Sequence, residues 1–257
     1  MPIGYDLDKI KFSTDMPTFQ RAVGLYEGGK VTKVEECEGD YSAVVLGTKP
    51  YRVSVPARNY KYGHCTCYLG EQGTLCKHMV ALALHAAMGG RPLSGNDKQL
   101  NNQVECSGRR GALSREEAAE VKRSISGAMR YIKAYTGPSR TWFANQDSLQ
   151  EGCNRLSAIV SGLPVHKQAA EVLVKLLLRL DKKLCTGVDD SNGTVGGFMT
   201  EVVRLLTEYA HIDPDCVKAF KPLAGRETCF EWEGPLVRIL DEKVQKPGTR
   251  PRGPDPR

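Results

Sequence analysis

From residue 28 to residue 55 apolar and polar side chains alternate, and the alternation is broken at Glu38-Gly39-Asp40 and again at Lys49-Pro50. A period of two sends successive side chains to opposite faces of a strand, and turn-forming residues between such runs close hairpins. The pattern predicts an antiparallel meander with strands over residues 30–37, 41–47 and 51–55. Residues 17–26 fit either a short helix or one more strand, and periodicity leaves both open. At Cys76 the period changes. Met79, Val80, Ala83, Leu84 and Ala87 recur at three and four, and Gly89-Gly90 with Pro92 stops the run, which predicts a helix to Met88.

Residues 91–112 hold few large apolar side chains but many Ser, Gly, Asn and Arg, the composition of a flexible linker. Beyond it the period is helical. Ser114 and Glu117 have capping-box spacing ahead of a face made by Ala118, Val121, Ile125, Met129 and Ile132. A second helix is predicted from Ser148, with Glu151 three residues on, to Gly162. Pro164 opens a third, whose stripe Val165, Ala169, Val172, Leu173, Leu176, Leu177 and Leu180 is the strongest in the chain. A fourth covers residues 194–210, a shorter fifth follows Asp213-Pro214, and Leu236–Leu240 is a last apolar segment. Residues 245–257 are basic, proline-rich and expected to be disordered. The expected fold class is therefore α+β. A zinc-binding module of β-meander and helix spans 1–90, and an all-helical domain spans 113–244 as an up-and-down bundle or a short helical repeat.

Composition narrows the function. The longest apolar stretch, Met79–Met88, is about half the roughly 20 residues of a spanning helix, so no membrane segment is expected. The first sixteen residues carry Asp6, Asp8, Lys9, Lys11 and Asp15 and no apolar signal region, which points to a cytoplasmic protein, or a nuclear one in a eukaryote. In that compartment nine cysteines are expected as thiols, metal ligands or small core residues rather than a disulfide framework. The net charge of +6 is local: residues 61–110 hold 6 basic and 3 acidic side chains and residues 245–257 hold 4 and 1, while residues 111–244 balance at 18 each. Binding through a uniformly basic body is excluded by that distribution.

The candidate chemistry lies in Cys65-Thr66-Cys67, eight intervening residues, and Cys76-Lys77-His78. Three thiolates and an imidazole with no open position compose a structural Cys₃His zinc site. Binding of about 10–16 kcal/mol, as in zinc-finger peptides, exceeds what so short a segment gains from burial. His64 and His85 lie close by in sequence but are expected on the surface or in packing.

This spacing resembles the zinc-chelating motif of the SWIM-type zinc finger, a domain shared by bacterial helicase-like remodelling ATPases, plant Mutator-type transposases and a ubiquitin-ligase-like kinase. The resemblance extends over residues 17–90: a glycine-centred pair of strands, an aromatic-containing strand with Tyr51-Arg52-Val53, and Cys76-Lys77-His78 followed by an apolar helix. It implies that Cys65, Cys67, Cys76 and His78 hold one structural Zn²⁺. Ala81 also fits an extended pattern seen in Shu-complex-type recombination mediators.

Around the motif, Lys61, Lys77, Arg91, Arg109 and Arg110 interleave with Tyr60, Tyr62 and Tyr68, so that cations can meet phosphates and rings can stack on unpaired bases. The same residues also fit a sheet's own aromatics and a soluble linker. Cys37, Cys106, Cys153, Cys185, Cys216 and Cys229 show no paired spacing, and Cys153 fits a core position. Asp189-Asp190-Ser191-Asn192-Gly193 lacks the alternating ligands of a calcium loop and is expected to be a turn. No phosphate-cradling loop or nucleophile arrangement is present. The chain is expected to be non-enzymatic, with no small-molecule substrate. It would bind nucleic acid, in particular DNA, through the finger and basic linker, or else serve as an adaptor for a protein such as an ATPase or recombination factor.

Overall fold

The computed structural model describes residues 3–98 and 103–244. The chain forms two compact units that divide between residues 102 and 103, and it is mixed α+β. No helix among the described residues is long and apolar enough to cross a membrane.

The first unit opens with two helices, α1 (Leu7–Phe12) and α2 (Met16–Glu27). Asp6 and Asp15 cap them, each carboxylate accepting a backbone N–H three residues on. The open choice at residues 17–26 is thus settled as helix, and Pro17 sits in its first turn. Four antiparallel strands follow in sequence order, β1 (Val31–Cys37), β2 (Asp40–Leu46), β3 (Pro50–Pro56) and the two-residue β4 (His64–Cys65). A bulge between Thr32 and Glu35 shifts the β1–β2 register, with Lys33 in the left-handed region at φ 50°. A helical turn α3 (Tyr68–Glu71), the long α4 (Lys77–Met88) and a short α5 (Gly95–Lys98) complete the unit.

α4 packs against α2 on one side and against β2 and β3 on another. Every residue from His78 to Leu84 is buried, which is why this helix is apolar almost all round rather than along one stripe. Ile10, Phe19, Val45, Val55 and Tyr60 share its core. The Tyr60 hydroxyl lies 2.8 Å from that of Thr14, so the one polar atom of this buried ring is bonded.

Among its described residues the second unit is built from helices: α6 (Arg115–Ala128), α7 (Trp142–Ser161), α8 (Lys167–Cys185), α9 (Thr194–Ile212) and α10 (Gly234–Val244), with a 3₁₀ segment over Pro214–Leu223. Ser114 and Glu117 form the predicted capping box. α9 touches α7, α8, α10 and the 3₁₀ segment, and Phe198, Val202, Leu206 and Tyr209 are among its buried side chains.

Several expectations change. Residues 103–112, expected in the linker, belong to the second unit. Val104 is fully buried, the Arg204 guanidinium and Glu201 carboxylate bond its backbone, and the Ser107 hydroxyl donates to the Leu163 carbonyl. The polar segment is held because α7 ends beside it with unpaired backbone groups. α7 starts at Trp142, six residues before Ser148: the Ser148 hydroxyl donates to the Tyr131 carbonyl instead of capping, and Glu151 is fully buried in an ion pair with Arg155 at 3.0 Å. Cys185 and Cys229 are joined in a disulfide that ties the end of α8 to a loop 44 residues on. The predicted disordered stretch 245–257 lies outside the described residues.

Candidate metal centre

Three local structures bring four side chains to one point. Cys65 is held in β4, opposite Val53 of β3. The Thr66 amide donates to the Arg52 carbonyl and the Thr66 hydroxyl accepts from the Arg52 amide, which fixes the strand exit. Cys67 is the N-cap of α3, its sulfur accepting from the Gly70 amide at 3.4 Å. Gly70 has no alternative here, because a Cβ at this position would fall 2.6 Å from the Cys65 Cβ and closer still to the Cys65 carbonyl oxygen. Cys76 is the N-cap of α4 and His78 lies in its first turn.

All four side chains are buried, and their ligand atoms lie within 4.8 Å of one another. His78 Nδ1 is 3.7 Å from Cys65 Sγ and 3.8 Å from Cys76 Sγ. A tetrahedral zinc with Zn–S of about 2.3 Å and Zn–N of about 2.0 Å has S···N edges of about 3.5 Å, so these two separations lie close to those of a shared ion. The donor chemistry agrees, since three thiolates and an imidazole suit zinc. Tyr51 stacks on the imidazole with centroids 4.4 Å apart, and His78 Nε2 is buried without a partner beside Gly47. The ring is therefore oriented by packing, with Nδ1 toward the sulfurs.

Electrostatics split the thiols. Cys76 is lowered to about 4 by a hydrogen bond from the Cys65 thiol, with His78 and the Met79 amide adding to it. Cys65 is pushed far above the ordinary thiol range by that same bond and by burial. The hydrogen bond between them favours the anion at Cys76, at the mouth of α4, over the anion at Cys65.

His64 is exposed and His85 packs near Tyr26, so neither joins the cluster. Cys153 is buried in the core of the second unit with its pKa raised by burial, as expected for a packing residue. Asp189 and Asp190 do form a turn, and Asp190 also caps α9 by accepting from the Val195 and Gly196 amides. Of the predicted nucleic-acid contacts, Lys61, Lys77 and Arg91 lie in the first unit and Arg109 and Arg110 in the second. The Arg109 guanidinium donates to the Gly162 carbonyl at 2.5 Å, and Arg110 pairs with Val165. They are part of the second unit's structure rather than of a mobile linker. Sequence reasoning missed Gly70, whose role appears only when α3 is seen to pass over Cys65. No family model, curated protein or solved structure matches the chain.

Proposed function

We propose that Cys65, Cys67, Cys76 and His78 hold one structural zinc ion, and that the first unit is a SWIM-type finger that binds single-stranded nucleic acid without catalysing a reaction on it. The observation that carries the zinc reading is the convergence of four buried donors at tetrahedral spacing. In support of nucleic acid, the residues beside the ligands present rings and cations outward. Tyr62 is 75% and Tyr68 79% exposed, unusual for aromatics with a core available to them. Arg52, Lys33 and His64 line a shallow cavity of about 320 Å³ on the sheet, and Lys61 and Lys77 stand next to Tyr62 and Cys76 in sequence. Stacked rings with nearby cations hold unpaired bases with little sequence preference. The interface is accordingly assigned to the first unit, with Lys61, Lys77, Tyr62 and Tyr68 as contacts, and Arg109 and Arg110 are left out of it.

Elemental analysis of the purified chain and titration of a labelled oligothymidine at two salt concentrations test this reading. The expected result is about one zinc per chain and salt-sensitive binding. Tyr62→Ala and Tyr68→Ala should each weaken binding by about 1–3 kcal/mol, the usual worth of one base–aromatic stack. A metal-free folded protein would refute the zinc assignment, and binding unchanged in both tyrosine variants would refute the interface.

A further inference from the structure

A groove of about 320 Å³ lies between α6 and α8 of the second unit, remote in sequence from the metal ligands. Ile125, Val172 and Leu176 supply apolar walls, and Lys122, Lys175 and Arg179 stand around them. The three cations are exposed, and none makes an ion pair among the described residues. Among the described residues no acidic side chain lines the groove, and most of those on the same helices are engaged elsewhere. Glu120 bonds Arg123 and Ser124, Glu171 pairs with Lys167, and Asp181 accepts from the Cys229 amide and the Trp232 indole. One turn further along α8, the pKa of Lys183 is lowered by burial and then by repulsion from Arg179 and Lys133.

Apolar walls with a cationic rim select for shape and charge together. A phosphate backbone would satisfy the rim but bring nothing apolar to the walls, and no aromatic ring lines the groove for a base to stack on. A peptide with apolar side chains flanked by carboxylates satisfies both. We propose that this groove docks an acidic, apolar-anchored segment of a partner protein, with its apolar side chains between Val172 and Ile125 and its carboxylates on Lys122, Lys175 and Arg179. The inference rests on the second unit alone and is independent of zinc and of nucleic acid.

The test is selection of a displayed library of random peptides against the full chain, followed by titration of the enriched peptides in labelled form. Enriched sequences are expected to carry Asp or Glu around Leu, Ile, Phe or Met. Their affinity should fall at least tenfold in Lys175→Glu/Arg179→Glu. Ser126→Trp, an exposed position on the groove wall, should plug the groove and weaken binding as much without altering the charge. An unchanged urea midpoint, read by far-UV circular dichroism, certifies that both variants are folded. No enrichment of acidic-apolar sequences overturns the proposal, as does binding that survives both variants. An oligonucleotide that displaces the peptides and itself requires Lys175 and Arg179 would assign the groove to nucleic acid and overturn it equally.

Discussion

Replacing Gly70 by alanine adds one methyl group and should nonetheless loosen the metal centre. The new Cβ would lie 2.6 Å from the Cys65 Cβ, and its other neighbours are the Cys65 carbonyl carbon and oxygen, so no flexible side-chain end can move aside. The carbonyl oxygen is the nearest of these at 2.2 Å, so restoring ordinary contact at 3.4 Å requires a displacement of about 1.2 Å between α3 and β4. Zinc–sulfur distances tolerate only about 0.2 Å. The metal-free protein can relieve the clash by letting α3 drift, whereas the loaded protein must hold Cys65 and Cys67 together. The overpacking cost of about 1–3 kcal/mol therefore falls on metal affinity, a loss of roughly 5- to 150-fold. Gly73→Ala is the control: it lies in the same loop at φ +69° with nothing within 4 Å of its Cβ, so it strains the backbone without pressing on a ligand. Competition of each variant against a zinc chelator of known affinity, or cobalt uptake followed by its thiolate charge-transfer band, measures the difference. Equal affinities for Gly70→Ala and the parent would show that α3 does not position the sulfurs.

Metal affinity should rise with pH across the neutral range, because the raised pKa of Cys65 leaves on its sulfur a proton that the metal must displace, while Cys76, lowered to about 4, carries none there. A plot of log affinity against pH between 6 and 8 should have a slope of about one or more, and a flat plot would contradict the assignment. Reduction of Cys185–Cys229 should destabilise the second unit by up to about 4 kcal/mol, from loop closure over its 44-residue separation. Both tryptophans, Trp142 and Trp232, lie in that unit, so fluorescence-detected urea unfolding with and without reductant reads it directly. Arg155→Met removes the guanidinium from the fully buried Glu151 and should cost about 3 kcal/mol or more in the same assay; a loss within 0.5 kcal/mol would mean that Glu151 does not rely on it.

Three of the four described strands of the first unit were legible to within a residue or two, because alternation and turn residues act locally and agree with each other, while the two-residue β4 is too short to show any period. The cluster was legible for a different reason: Cys65-x-Cys67 and Cys76-x-His78 each place two donors at adjacent points of one short segment, so little tertiary information is needed to join them. What stayed hidden depends on partners far along the chain. Asp6–Phe12 is too short to display a helical period. Glu151 has the spacing of a cap and the environment of a buried ion pair, and only the position of Arg155, one turn on along the same face and over the Tyr131 ring, separates the two. Residues 103–110 have a linker's composition, yet Val104 and Ser107 are held by α9 and the end of α7. Equal numbers of charges over residues 111–244 concealed a groove where three cations face no acid.

The burial of α4 on all sides has a further consequence. Its first turn carries Cys76 and His78, and its next residues are the most apolar run of the first unit. On the zinc reading proposed above, the ion and the cover of residues 79–84 depend on one helix. Loss of that ion would loosen the end from which the run begins, and an uncovered apolar helix is what chaperones and proteases recognise. Metal supply and the lifetime of the chain would then be linked through α4, with the site as an inspection point for the fold.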